Sequence, residues 1–342
     1  MWKMAAGSTP VSTHSTNKDQ HNRMTLPFYE GKTVLITGAT GLIGANLTEA
    51  LLSSGASVRA TINETAPVIV DDSIEYTTAD LREEYDCRRV VDGVDILFHC
   101  AADTSGAAVM VNNPMAQITG NVLMNTRLME AAVLAEVSNF LFVSSSAVYP
   151  PGEHDFKEDE GFDGDPFDTY FGVAWMKRYA EKLLTFYHRR YGMNATIIRP
   201  SNVYGPLDKF DPERSHVLPA LIRRVDSGEN PLKVWGSGQE VRDFIYVDDF
   251  VRVIIKAVET CADAEPLNVP SGRLTTIAEC AQIIVDQGGH TETKLAFDPS
   301  KPTTIPYRAL AGDGVASRVG DTERVPLEEG LRRTIEWYRA NS

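Results

Sequence analysis

The sequence predicts an α/β protein built on a doubly wound parallel sheet, with a smaller mixed lobe towards its C-terminal end. Three observations carry this. Val34-Leu-Ile-Thr37 is an apolar, branched run that turns through Gly38, Gly41 and Gly44 into Leu42, Ile43, Leu47 and Leu51 at helical spacing. Short apolar runs then alternate with helical stretches as far as residue 199. Beyond Pro200 the alternation loosens into sequence rich in Pro, Asp and Gly.

The first strand, 34–37, feeds its helix through glycines. That arrangement aims bare backbone N–H groups and the positive end of a helix at one point, which suits a phosphate. Gly38 permits the tight turn, Gly41 lets backbone approach a pyrophosphate, and Gly44 lets helix and strand pack closely. Thr40, Leu42 and Ile43 complete the turn. The spacing is G-x-x-G-x-x-G rather than the commoner G-x-G-x-x-G. A helix over 45–54 follows, then strands at 57–62 and 74–78 and a helix over 83–92. Asp95–Ala102 is a nearly all-apolar strand, as central parallel strands are. Helix 114–136, strand 140–145, helix 168–191 and strand 194–199 complete the series. Such βαβ repetition, with right-handed crossovers, is a Rossmann-type sheet.

The expected division is a dinucleotide-binding domain over 29–200 and a substrate lobe over 201–342, some of whose elements return to the sheet. The lobe carries helix 216–227, strand 232–235, a turn at Gly236-Ser-Gly238, strand 243–247, helix 248–260 and a closing helix at 327–340. Residues 1–28 read as a disordered extension, since 1–24 are rich in Ser, Thr, His and Asn and lack the apolar core of a secretory signal.

A formal net charge of −14 over 342 residues argues against nonspecific nucleic-acid binding and against docking on an anionic membrane. No apolar run is long enough to span a bilayer. Cys87, Cys100, Cys261 and Cys280 are scattered, without a C-x-x-C pair. Reduced thiols in a cytoplasmic protein are the expectation, and no metal site is expected.

Several further segments, taken in order, carry a resemblance. They are Ala79-Asp80-Leu81, Phe98-His-Cys-Ala-Ala102, Val143-Ser-Ser-Ser-Ala-Val-Tyr149, Arg199-Pro-Ser-Asn-Val-Tyr-Gly-Pro206 and Arg242-Asp-Phe-Ile-Tyr-Val-Asp-Asp249. With the glycine turn they resemble the extended short-chain dehydrogenase/reductase family of nucleotide-sugar epimerases, dehydratases and reductases, over roughly residues 32–340. Ser215–Arg224 and Val234–Gly238 look most like the GDP-fucose synthase branch. The resemblance implies NAD or NADP as cofactor, a nucleoside-diphosphate sugar as substrate, and a homodimer formed through the two long helices near 114–136 and 168–191.

On the cofactor side, the resemblance places Asp80 and Leu81 by the adenine, Ala101 and Ala102 where small residues let the dinucleotide cross the strand ends, and Asn121, Pro200 and Ser201 by the nicotinamide half. The acid that grips the adenosine ribose in NAD-binding relatives is missing. Its position is Ile62, with Asn63 next, and Arg59 lies nearby, so NAD and NADP both stay open.

On the catalytic side, the family uses Ser, Tyr and Lys: the Tyr relays a proton, and the Lys one helical turn on lowers its pKa and holds the nicotinamide ribose. Ser145 matches the Ser, and its neighbours Ser144 and Ser146 rank lower. Lys177 is the preferred Lys, because Glu181 and Tyr191-Gly192 then stand at the family spacings. The Tyr position becomes Val173. A second register, matching Phe171-Gly-Val-Ala-Trp175 to Tyr-Gly-Val-Ala-Lys, removes both residues. Tyr170 is the first substitute considered, and Tyr149 a second. His216 matches a branch His that works with a Cys, but the Cys position is Ala147. Arg242 resembles the diphosphate-gripping Arg, and Asn202 a sugar or phosphate contact. Trp235 and Leu218 are candidate walls of the base pocket, with Arg214 and Arg318 as weaker phosphate candidates. A different small carbonyl substrate and a catalytically impaired dinucleotide-binding protein are the alternatives.

Overall fold

A computed structural model describes residues 26–104, 115, 117–212, 215–301 and 305–342. Residues 1–25 of the expected extension over 1–28 and Arg214 lie outside the described residues; its last residues are a correction, since Leu26 and Phe28 pack against the core and Pro27–Tyr29 is a 3-10 helix.

Seven strands form the main sheet: β1 (Thr33–Thr37), β2 (Ser57–Ile62), β3 (Ile74–Thr78), β4 (Ile96–His99), β5 (Asn139–Val143), β7 (Asn194–Pro200) and β11 (Asp263–Val269). The two-residue strand β6 (Asp155–Phe156) lies elsewhere. The spatial order is β11-β7-β5-β4-β1-β2-β3, with every pairing parallel. The order reverses between β1 and β4, so the crevice above their carboxyl ends is where an open sheet of this kind takes a ligand.

Both faces are covered, which is why these strands are continuous apolar runs. Val34, Ile36, Ile96 and Phe98 point to one face, against helix α1 (Leu42–Leu51) and the later helix α6 (Val247–Thr260). Leu35, Leu97, Phe140 and Phe142 point to the other. There they meet α2 (Glu84–Val91), α3 (Thr119–Leu134) and α4 (Phe171–Tyr191). A 3-10 turn at Asp168–Tyr170 precedes α4, so the helix proper starts three residues later than expected.

The lobe has its own core. Leu218, Leu221, Leu232, Val234, Phe244, Ile277, Ile284 and Leu331 are buried together. Its elements are α5 (Val217–Asp226), β9 (Leu232–Trp235), β10 (Val241–Tyr246), β12 (Leu274–Thr276), α7 (Ile277–Gln287), β13 (Leu295–Asp298), β14 (Ala309–Leu310), α8 (Asp313–Arg318) and α9 (Leu327–Asn341).

One correction concerns the segment after Pro200, expected as a loop. Asn202–Tyr204 is a strand, β8, paired in parallel with β10 through Asn202↔Phe244 and Tyr204↔Tyr246. β11, read only among short elements, fills the edge of the main sheet beside β7. No helix among the described residues is long and apolar enough to cross a membrane, and all four cysteines are free.

Candidate active site

The glycine turn forms as its residue types require. Gly38 has φ +72°, a conformation other residues rarely adopt. A Cβ on Gly38 would lie 2.7 Å from the Cα of Ala101, so the turn is pressed against the chain leaving β4. A Cβ on Gly44 would collide with the carbonyl of Gly38, which sets how closely α1 approaches β1. A Cβ on Gly41 would meet nothing closer than 3.5 Å. The result is a bare-backbone cradle at the start of α1, at the switch point of the sheet, and it fits a dinucleotide pyrophosphate.

A buried polar chain holds this cradle to the neighbouring strand. Ala101 N donates to Thr37 Oγ1 at 3.2 Å, Thr37 Oγ1 lies 2.8 Å from His99 Nδ1, and His99 Nε2 lies 2.9 Å from Asn125 Oδ1. Burial pushes the His99 imidazole down to about 4, so it stays neutral. Asn121 does related work. Its amide accepts from Asp103 N at 2.9 Å and donates to Asp103 O at 3.0 Å, which fixes the loop after β4. Its side chain is thus spent on the backbone that shapes the cofactor crevice.

Just past β3, Asp80 takes a fork from Arg82, Nε at 2.8 Å and Nη2 at 2.7 Å, and these bonds hold its carboxyl below the usual range. The chain does not use Asp80 as a helix cap, since α2 starts after Glu83. Leu81 is buried in the core, leaving only its backbone for a ligand. Asn63 is exposed after β2. Arg59 is committed elsewhere, to Glu75 at 3.0 Å and to the carbonyl of Asp92 at 2.7 Å.

Lys177 and Ser145 meet the carboxyl end of β5 from two directions. Lys177 Nζ donates to Val143 O at 2.8 Å and lies 4.7 Å from the Phe142 ring centre. The side chain is buried, which pushes its ammonium down to about 8 against the opposing pull of Glu181. Ser145, half-buried, accepts from Ala147 N at 3.1 Å. Ser144 is turned the other way, donating to Glu181 Oε1 at 2.5 Å. Val173 stands four residues before Lys177 in α4 and is half-buried.

The two substitute tyrosines lie in different settings. Tyr149 is fully buried, donates to Asn268 Oδ1 at 2.6 Å, accepts from Arg199 Nη1 at 3.0 Å, and its phenol is pushed up to about 12 by burial. Tyr170 caps the start of α4, where it faces the guanidinium groups of Arg242 and Arg308.

Arg308, the neighbour of Arg242, is the part of the site that sequence reasoning missed. Val241 N donates to Pro306 O at 2.9 Å and Arg308 N to Val241 O at 3.1 Å, so residues 306–308 run alongside the start of β10. The two like charges are thereby neighbours. Burial first, then Arg242, pushes Arg308 down to about 10. Among the described residues its Nη1 and Nη2 reach only the carbonyls of Pro150 and Tyr149, each at 3.2 Å, and no carboxylate is among its bonds. Two neighbouring guanidiniums without a carboxylate on Arg308 suit an anionic ligand. The available signal was a lone cation within the otherwise uncharged run Ile305–Ala311.

The remaining candidates are dispersed. His216 is exposed just before α5 and makes no capping bond, with the buried Asp208 carboxylate close enough to feel its charge. Asn202 Nδ2 donates to Asp243 O at 2.9 Å, and Ser201 is buried beside the Asp243 carboxylate. Trp235 is 47% exposed at the end of β9. Leu218 is a correction: it points into the lobe core at 1% exposure, because α5 packs its apolar face there. Arg318 is another, tied to Asp263 at 2.7 Å and to Pro266 O at 3.2 Å.

Comparison with known proteins agrees with this geometry. The chain is 31% identical over 326 residues to dTDP-4-dehydro-6-deoxy-D-allose reductase of Streptomyces bikiniensis, covering 92% of this chain and 99% of that one. It is 30% identical over 327 residues to GDP-L-fucose synthase of Escherichia coli strain K12, covering 90% and 97%. Among solved structures, UDP-glucose 4-epimerase of Thermotoga maritima, determined with UDP-glucose, superposes with a TM-score of 0.81 at 26% identity, covering 90% and 99%. The expected kinship with extended short-chain dehydrogenase/reductases is met by these relatives. The NAD dependent epimerase/dehydratase family matches residues 34–269, and the chain belongs to that family.

Proposed function

We propose that this protein is a nicotinamide-dependent reductase of a keto sugar carried on a nucleoside diphosphate. Three local arrangements support the reading: the Gly38–Ala101 cradle, Lys177 and Ser145 at the end of β5, and the neighbouring guanidiniums of Arg242 and Arg308.

The roles follow from the chemistry of each part. Gly38, Thr40, Gly41, Leu42, Ile43 and Gly44 present backbone to the pyrophosphate of NAD or NADP. Asp80 and Leu81 meet the adenine, Asn63 the ribose, and Ala101, Ala102, Asn121, Pro200 and Ser201 shape the nicotinamide half. When bound, the cofactor supplies or receives a hydride. Lys177 is assigned the nicotinamide ribose. Ser145 orients the reacting oxygen. Arg242 and Arg308 fork onto the substrate diphosphate, Trp235 shields the base, and Asn202 touches the sugar. The lobe from residue 201 onward forms the substrate side. His216 is assigned a proton-holding role on the sugar.

Reduction is favoured over double epimerisation because Ala147 occupies the position of the thiol that the fucose-synthase branch uses. The Streptomyces relative, by its name, reduces a 4-dehydro sugar. In this reading Val173 replaces the family Tyr. Exposed Trp175, Tyr179 and Phe186 on α4, with Leu123 on α3, support a homodimer through these two helices. Four free thiols support a cytoplasmic setting.

Val173 also favours a second reading, a protein that binds the dinucleotide without catalysis. A panel of nucleoside-diphosphate keto sugars, with nicotinamide absorbance followed, separates the two. Oxidation of NADH or NADPH upon addition of one sugar supports the enzyme. Tight binding with no turnover supports the second reading.

A further inference from the structure

With valine at position 173, the site has no phenol one helical turn from Lys177. The hydroxyl of Tyr149 is closed between Asn268 and Arg199. Tyr170 lies seven residues before Lys177, roughly 10 Å along the helix axis, and faces Arg242 and Arg308. A serine hydroxyl is too weak an acid to serve alone. The proton that accompanies the hydride needs another source.

We propose that Lys177 itself moves that proton, its Nζ taking the place of the missing phenol. This rests on the reductase reading above. Among the described residues Nζ has one acceptor, Val143 O, so two of its three N–H bonds are uncommitted. The groups that face it are few. Glu181 is one turn along α4, Cys100 stands just past the end of β4, and His99 lies within electrostatic range. His99 is neutral and the Cys100 thiol is pushed up to about 12, so neither brings a charge. The Glu181 charge is taken by Arg199, which holds both carboxylate oxygens. Among the described residues Lys177 is therefore a buried cation without a counter-ion of its own, and burial pushes its ammonium down to about 8.

The step balances. The carbonyl carbon of the sugar gains the hydride drawn from the reduced nicotinamide, which is thereby oxidised. The carbonyl π pair becomes an oxygen lone pair and forms an O–H bond with the proton of Nζ. The N–H bond breaks, leaving a neutral amine, which regains a proton from solvent before the next turnover.

Two experiments test this. In the cofactor-free protein, competitive acetylation of lysines across a pH series, read by peptide mass spectrometry, gives the titration of Lys177 directly. A midpoint near 8 is expected, and a midpoint at the ordinary lysine value overturns the proposal. The second uses K177R, which keeps the charge and cannot lose it. Calorimetry is expected to show cofactor affinity within a few-fold of the wild type. Turnover is expected to fall by about 100-fold or more, the usual worth of a positioned acid. Adding V173Y to K177R is expected to restore part of it. K177R with near-wild-type turnover overturns the role of Lys177 and leaves the reductase reading standing. A wild type that turns over no nucleotide sugar overturns both.

Discussion

Glu181 and Arg199 form a two-pronged ion pair, Oε1 to Nε at 3.0 Å and Oε2 to Nη2 at 2.7 Å, with the side chains 2% and 1% exposed. The pair binds α4 to β7, one helical turn beyond Lys177. Ser144 adds a bond from the end of β5, and Arg199 reaches on to Glu158 O at 2.7 Å. Removing one partner leaves the other charge buried and unmatched. Glu181→Gln is expected to cost about 3–5 kcal/mol in urea unfolding, and Glu181→Gln with Arg199→Met to regain most of that. A loss below about 1 kcal/mol for the single variant contradicts the stated role.

The cradle predicts a contrast between glycines. Gly38→Ala combines a left-handed backbone with a 2.7 Å approach to Ala101. It is expected to lose about 2–4 kcal/mol of stability, the sum of backbone strain and overpacking. Calorimetry is expected to show at least tenfold weaker dinucleotide binding. Gly93→Ala has φ +66° but open space around it, and about 1 kcal/mol is expected there, with binding unchanged.

Lys177 gives a pH-dependent prediction whose sign is fixed. Its folded value of about 8 lies below the unfolded 10.5. Between these values the unfolded chain holds the extra proton, so the penalty for burying the charge is full below about pH 8, fades as pH rises from there, and is gone above 10.5. Lys177→Met is expected to be more stable than the wild type by about 1–3 kcal/mol at neutral pH. The gain should shrink in alkaline buffer. Denaturant melts at both pH values check this, and a less stable variant at neutral pH contradicts it.

Arg308→Ala removes half of the guanidinium pair. Affinity for a nucleoside diphosphate is expected to fall about 10- to 100-fold, the worth of charge-assisted bonds, while dinucleotide affinity stays within about twofold. Arg308→Lys is expected to recover only part, because it lacks the planar fork. Equal losses for both ligands would mean that Arg308 supports the fold rather than the substrate.

What was legible in the sequence was local. The glycine turn, the apolar strands β1, β4 and β5 and the long helix α4 each declare themselves within about twenty residues, through period, branching and glycine placement. β8 did not, because three residues after a proline carry no period and its partner β10 is some forty residues away. Arg308 was missed for the same reason: only the pairing of 306–308 with Val241 brings it to Arg242. Leu218 was misjudged because an apolar residue on an amphipathic helix reads alike whether it lines a pocket or a core. The 3-10 turn before α4, which puts Tyr170 within electrostatic range of Arg242 and Arg308, has no local signal in the sequence either.

The most direct measurement mixes purified protein with NADH or NADPH and a nucleoside diphosphate 4-keto-6-deoxy sugar, and follows nicotinamide absorbance alongside product analysis. The account predicts stoichiometric cofactor oxidation with formation of the 4-hydroxy sugar nucleotide, abolished by Gly38→Ala. Failure to bind either dinucleotide, or binding without oxidation for every sugar nucleotide offered, would contradict it.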